Sequence, residues 1–284
     1  MGALRKQMDG DLVVRGMAVR TREAYLGAVA GLAKYYGRRP DRIDEAEVQR
    51  YLLHLIEERK LAWASCNVAV QGLKFFYRVT LKRPAAQFGI PTARQPQKLP
   101  QILAREEVAR LIERTAHPKH RAILMTTYGA GLRLNELCHL KISDIDSARM
   151  TLRVEQGKGA KDRYTLLSPR LLTELRRYWP LYRPKLWLFP SKDGAHPISD
   201  ATVQKIFYRA KARAGISKDC GIHGLRHAFA THLLEAGVDI HTIQRLMGHG
   251  HISSTLRYFH LARKHLANTP SPLELLERAD TATR

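Results

Sequence analysis

The chain reads His223-Gly-Leu-Arg226, then Leu246-Met-Gly-His249, then Tyr258 nine residues further on. Upstream, Arg133 stands in Gly129-Ala-Gly-Leu-Arg133-Leu-Asn-Glu136. Two arginines, two histidines and a tyrosine are what a protein needs to bind a phosphodiester and attack it with a phenol. Guanidiniums hold a dianionic, five-coordinate phosphorus centre bidentately. Histidines donate hydrogen bonds or move a proton near neutral pH, and a tyrosine can become a covalent phosphoryl link. A phenol has a pKa of about 10, so at neutral pH it needs a base and an electropositive setting. Arg133, Arg226 and the histidines supply that setting.

The spacing adds geometry. His223 and Arg226, at i and i+3, share one helical face, and Glu136 lies three residues after Arg133, where it can orient the guanidinium across a turn. Arg133 follows Gly129-Ala-Gly131, where a helix gives way to a tight turn and a new helix begins, so backbone N–H groups can join it in one anion pocket. Lys158, flanked by Gly157 and Gly159, sits at an expected hairpin tip, a place that can insert into a groove. Its ammonium can protonate a departing oxygen as general acid. Lys161 and Arg163 compete for that role, because sequence fixes hairpin register weakly. His223 through His227 mimics the spacing of the zinc motif His-Glu-x-x-His, but Gly224 stands where the glutamate belongs. No zinc site is expected, and His227, His232, His241 and His251 read as structural or solvent-exposed residues.

These residues need elements to position them. The first third reads as helices. Thr21 can cap one whose stripe is Tyr25, Val29, Leu32 and Tyr36, ended by Gly37 and Pro40. Asp44-Glu-Ala-Glu47 has capping-box spacing ahead of Val48, Leu52, Leu55 and Ile56. A third helix is expected near Ser65, turning Val68, Ala69, Leu73 and Phe76 inward. Residues 87–101 hold three prolines and little periodicity, which reads as an extended, semi-stiff linker. Beyond it, helices are expected at 105–113, 118–128, 169–179, 200–214 and 225–236, with shorter ones at 240–247 and 253–260. Two strands, 150–155 and 163–167, flank the glycine-rich turn.

The stretches Thr127 to Leu137, Gly157 to Arg163, His223 to His232, Ile243 to His249 and Thr255 to His260 together resemble a tyrosine recombinase of the phage-integrase and Xer type. The likeness spans most of the last two-thirds, and the first third is similar to that family's core-binding domain. It implies a mainly α chain with a small antiparallel β-sheet. The expected parts are a helical, SAM-like core-binding domain at 1–88, a linker at 89–101, a mixed α+β catalytic domain at 102–268 and a tail at 269–284. It also implies a site-specific recombinase that cleaves and rejoins DNA through a 3′-phosphotyrosine, without ATP, metal or other cofactor. By resemblance, Arg133 and Arg226 bind the scissile phosphate, Tyr258 attacks, Lys158 is the general acid, His223 mainly the general base, and His249 positions the phosphate. A tyrosine-class topoisomerase and a non-catalytic DNA-binding protein of the same fold are the rival readings.

Charge agrees with a polyanionic partner. Lys and Arg number 48 against 26 Asp and Glu, leaving +22. The excess is spread over both parts: 18 basic and 9 acidic residues lie in 1–100, leaving 30 and 17 beyond. That suits a clamp on double-stranded DNA. The resemblance adds a dimer or tetramer on paired sites, with a second recombinase or accessory protein as a further partner. Leu273 and Leu276 in the tail, after Pro270 and Pro272, suit docking on a neighbouring protomer or on the tail's own domain. Cys66, Cys138 and Cys220 are scattered, as in reduced thiols of a cytosolic protein. No segment approaches the roughly 20 apolar residues of a membrane span, so a cytoplasmic, nucleoid-associated protein without membrane contact is expected.

Overall fold

The computed structural model describes residues 2–83, 100–155, 162–256 and 258. Contacts divide the chain into two compact units, Met1–Lys98 and Leu99–Arg284. Most of the expected linker, Lys158, Lys161, His260 and the expected tail at 269–284 lie outside the described residues.

The first unit is helical: α1 (Ala3–Val14), α2 (Val19–Tyr36), α3 (Glu45–Glu57) and α4 (Trp63–Phe75), with a π-turn at Phe76–Thr80. Asp44 and Glu47 form the expected reciprocal cap. The Glu47 N–H donates to Asp44 Oδ1 at 2.8 Å, and the Asp44 N–H donates to Glu47 Oε2 at 3.1 Å. The core gathers Met8, Leu12, Leu32, Ile43, Val48, Leu73 and Phe76, all buried. The Tyr77 hydroxyl crosses this core and donates to the Pro40 carbonyl at 2.8 Å.

Three local expectations are corrected. α2 starts at Val19 with Ala18 before it, so Thr21 is inside the helix and caps nothing. α1, which the sequence reading left out, precedes it and supplies Met8 and Leu12 to the core. α4 begins at Trp63, and its inward positions are Cys66, Val70 and Leu73; Val68 is 43% exposed. Cys66, Val70 and Leu73 recur at i, i+4 and i+7 on one face, and Val68, two residues after Cys66, falls on the opposite side.

The second unit carries α5 (Arg105–Glu113), α6 (Pro118–Gly129), α7 (Leu134–Cys138), a three-stranded antiparallel sheet, and then α8 (Pro169–Tyr182), α9 (Asp200–Arg213), α10 (His223–Glu235), α11 (Ile240–Met247) and α12 (Ser253–Leu256). The sheet runs β1 (Ile145–Asp146), β2 (Thr151–Val154), β3 (Arg163–Leu166) in spatial order. Leu152 pairs with Ile145 on one side and Thr165 on the other, so both β1 and β3 are held in register. β1 was not read from sequence, since two residues carry no alternation to detect.

α10 organises this unit. Leu225, Ala228, Phe229, Ala230 and Leu234 give it apolar residues on every side, the mark of a buried helix. Leu225 and Ala228 join a large core with Leu111, Ile123, Leu137, Leu152 and Phe207. Phe229, Ala230 and Leu234 form a smaller one with Ile243, Met247 and Tyr258. Burying a Phe, Leu or Ile side chain is worth about 1.5–3 kcal/mol, so the satellite core is what seats α11 and Tyr258 against α10. No helix of the described residues is long and apolar enough to cross a membrane.

Candidate active site

α6 ends at a turn through Ala130, Gly131 and Leu132. Gly131 has φ +61°, and a Cβ there would lie 2.4 Å from Phe229 Cδ1, so only glycine lets this turn pass under α10. Arg133 then stands at the N-terminal boundary of α7 in extended conformation. Its backbone N–H donates to Glu136 Oε2 at 2.8 Å, and its Nη1 donates to Glu136 Oε1 at 2.6 Å. The i, i+3 spacing therefore does orient the guanidinium. Its other terminal nitrogen, Nη2, donates to the Gly248 carbonyl at 2.9 Å.

Arg226 lies in the first turn of α10 with its side chain 6% exposed. Its Nη1 donates to the Gly131 carbonyl and its Nη2 to the Met247 carbonyl. Glu136 Oε2 lies 3.8 Å away. Burial, and then the Arg133 guanidinium, push the Arg226 pKa down to about 9, against the pull of Glu136. It remains a cation at neutral pH.

A third arginine completes the arrangement. Arg163 Nη1 and Nη2 donate to the two Glu136 oxygens at 2.8 and 2.7 Å, and Nε donates to the Leu246 carbonyl at 2.9 Å. Among the three residues considered at sequence level for general acid, Arg163 is thus tied up in a buried ion pair. Burial alone would raise the Glu136 carboxyl, but the hydrogen bonds and charge of Arg163, and then those of Arg133, bring it down to about 2.

These contacts share a destination. Leu246, Met247 and Gly248 close the C-terminal end of α11, and their carbonyls accept from Arg163, Arg226 and Arg133 respectively. The terminal carbonyls of a helix lack intrahelical partners and carry the negative end of its dipole. Three guanidiniums satisfy them here. The other end of α11 is set by Asp239, whose Oδ1 accepts from the Thr242 N–H at 2.9 Å. Gly248 is required twice over: its φ is +61°, and a Cβ would lie 2.6 Å from Arg163 Cδ.

His249 follows this clamp. Its Nδ1 lies 2.8 Å from Thr255 Oγ1, and its ring stacks on Tyr258 at 6.3 Å between centroids, 8° from parallel. Tyr258 is 2% exposed, and its hydroxyl lies 3.0 Å from His227 Nδ1. His223 opens α10, one turn before Arg226. Desolvation at this position, and then the guanidiniums of Arg226 and Arg133, lower its pKa, against Asp200 and Glu136.

Arg133, Glu136, His223, Arg226, His249 and Tyr258 are therefore brought into one region, while Lys158 lies outside the described residues. Sequence reasoning missed Arg163 as an anchor and His227 as a neighbour of the tyrosine. The second carried a signal, since His227 stands directly after Arg226. His232, read as structural or exposed, is buried, with Nδ1 2.9 Å from the Tyr128 hydroxyl.

In the second unit Arg133 and Arg226 converge on the C-terminal end of α11, beside Arg163 of β3, and His249 and the buried Tyr258 follow that end in the chain. Residues 101–265 match the phage integrase family, and residues 4–87 match the phage integrase N-terminal SAM-like domain. The chain is 45% identical over 281 residues to the integrase/recombinase y4qK of Sinorhizobium fredii, covering 98% of this chain and 91% of that protein. It is 39% identical over 221 residues to the tyrosine recombinase XerA of Pyrococcus furiosus, covering 75% of each. In fold it is similar to a lambda integrase tetramer bound to a Holliday junction, with a TM-score of 0.73 at 21% identity, over 90% of this chain and 76% of that one. The chain belongs to the phage integrase family and is a tyrosine recombinase, an enzyme that breaks and rejoins DNA strands.

Proposed function

We propose that the chain performs site-specific recombination through a 3′-phosphotyrosine intermediate. Arg133 and Arg226 bind the scissile phosphate and stabilise the charge that grows on it, as preorganised donors do for an oxyanion. Tyr258 attacks the phosphorus. Lys158 delivers a proton to the departing 5′-oxygen. His223 and His249 hydrogen-bond the phosphate or move protons near it. The phosphotyrosine keeps the energy of the phosphodiester, so resealing by a 5′-hydroxyl needs no ATP. The charge that a divalent metal supplies in other phosphoryl transfers comes here from guanidiniums.

The observation that carries this reading is the clamp at the end of α11. Both proposed phosphate-binding arginines are fixed by the carbonyls immediately before His249, and His249 in turn stacks on Tyr258. One short segment, Met247 to His249, thereby contacts both the proposed phosphate grip and the proposed nucleophile. The basic excess of both parts supports double-stranded DNA as substrate. The family supports assembly as a dimer or tetramer on paired sites, in the cytoplasm with the chromosome; a second recombinase or accessory protein is compatible with it.

The test is a nicked suicide substrate that traps the covalent intermediate. The wild-type chain is expected to form a protein–DNA adduct without ATP and in the presence of a chelator. Tyr258→Phe removes only the attacking oxygen and should bind DNA normally without forming adduct. A full adduct yield from Tyr258→Phe refutes the assignment.

A further inference from the structure

The tyrosine must lose a proton as it attacks, and the family resemblance implied His223 for that task. A different histidine lies against the reacting atom. His227 Nδ1 is 3.0 Å from Tyr258 Oη, and the two rings lie 5.7 Å apart, tilted by 49°. We propose that His227 is a catalytic residue that takes the Tyr258 proton during cleavage and returns it during resealing. The inference deepens the phosphotyrosine reading and rests on it.

Three observations lead there. First, Tyr258 is 2% exposed and packs among Phe229, Leu234, Ile243 and Met247. A phenol of pKa about 10 in such a place cannot pass its proton to bulk water, so a protein group must receive it. Second, an imidazole within hydrogen-bond reach of the proton meets the geometric requirement for a general base, and its Nδ1 accepts when Nε2 carries the ring hydrogen. Third, His227 follows Arg226 on the same helix. One rigid element thus carries a proposed phosphate grip and the contact to the nucleophile in adjacent residues. Most of α10 is buried, Arg226 and Ala228 on either side of His227 included, so that spacing is fixed before substrate arrives.

The step balances. The Tyr258 O–H bond breaks and its proton moves to His227 Nδ1. The phenolic oxygen bonds to phosphorus as the bond from phosphorus to the 5′-oxygen breaks, and Lys158 protonates that oxygen. In resealing the 5′-hydroxyl attacks, its proton returns to Lys158, and the departing phenolate recovers its proton from His227. His223, at the open start of α10, is left to the phosphate.

The experiment is single-turnover cleavage of the nicked suicide substrate by the full chain, with wild type, His227→Asn and His227→Ala compared. Asparagine places an oxygen near the position of Nδ1, so it keeps a hydrogen bond to the tyrosine but cannot accept a proton. Both variants are expected to lose about 10²–10⁴-fold in cleavage rate, with unchanged DNA retention in a gel shift. A 5′-bridging phosphorothiolate should not rescue either, because sulfur relieves only the need for the acid. His227→Asn cleaving at the wild-type rate overturns the proposal, and reduces His227 to a hydrogen-bonding support. His227→Ala cleaving faster than wild type overturns it too, since His227 would then be holding the tyrosine back. If His227→Ala melts early, His227→Asn carries the comparison alone. Absence of adduct from the wild-type chain would sink the phosphotyrosine reading and this one with it, whereas a normal wild-type adduct isolates the question of His227.

Discussion

Glu136 is the hub of the site, and replacing it by glutamine tests whether the arginine clamp is held electrostatically. Its side chain is 6% exposed and that of Arg163 9%, so solvent screens their pairing little. Its carboxyl falls from an ordinary 4.5 to about 2 on folding. A shift of that size corresponds to roughly 3 kcal/mol of stability at pH 7. Losing one member of a buried pair costs a similar amount, about 3–5 kcal/mol, because the partner charge is stranded. Here Arg163, Arg133 and Arg226 would be left facing one another. Glu136→Gln should therefore destabilise the second unit by roughly 3 kcal/mol at pH 7.

The pH dependence gives the sharper test. A carboxyl whose folded pKa is depressed contributes stability that is complete above its unfolded pKa and fades as pH falls through the folded value. The wild-type advantage should shrink between pH 4.5 and pH 2, to about 1.4 kcal/mol at pH 3. Urea unfolding in a Trp63→Phe background reads the second unit alone, since Trp179 and Trp187 are then the remaining tryptophans. Subtracting the glutamine variant removes the titration of all other carboxyls. A difference below about 1 kcal/mol at pH 7, or one that does not change down to pH 3, would refute the electrostatic account.

The remaining predictions concern the two ends of the proposed reaction. Gly248→Ala places an L-residue at φ +61° and a Cβ 2.6 Å from Arg163 Cδ. It should cost about 1–2 kcal/mol from backbone strain alone and slow cleavage more than it weakens DNA retention; a variant that cleaves and melts like wild type would show that the clamp adapts. Lys158→Ala should be slow on ordinary DNA and largely restored on a 5′-bridging phosphorothiolate, because sulfur leaves without a strong acid. Equal defects on both substrates would move the acid role to Lys161.

How much of this was readable in the sequence depends on how far each contact reaches. The Asp44–Glu47 cap, the strands on either side of Gly157 and Gly159, and α9 rest on neighbours within a few residues. Sequence spacing locates such features. α1 was missed because its apolar stripe is narrow: Leu4 is only partly buried and Met8 and Leu12 alone are fully buried. Val68 was misplaced because Val68 and Val70 are both apolar, and only the tertiary contacts of Cys66, Val70 and Leu73 show which face is inward. The residue types of the site were legible, and so was the local Arg133–Glu136 pairing. The anchors were not. Arg163 reaches Leu246 across 83 positions, Arg133 reaches Gly248 across 115, and His227 reaches Tyr258 across 31. Pattern reading assigns a histidine by its motif, and His223 had the motif; proximity to the phenol belongs to tertiary packing.

The same long contacts explain why the site is built with carbonyls. Among the described residues of this cluster, three guanidiniums meet a single carboxylate, Glu136, which leaves a surplus of two positive charges among them. A five-coordinate phosphorus centre in phosphoryl transfer carries two negative charges. Had carboxylates fixed each arginine, the pocket would be neutral and would attract DNA no better than the rest of the surface. Backbone carbonyls orient a guanidinium through hydrogen bonds without cancelling its charge. The end of α11 supplies three of them in consecutive residues, at the point where the chain turns toward His249. Orientation and net charge are thereby separated: the helix terminus sets where the arginines point, and Glu136 sets how much positive charge remains for the phosphate they are proposed to bind.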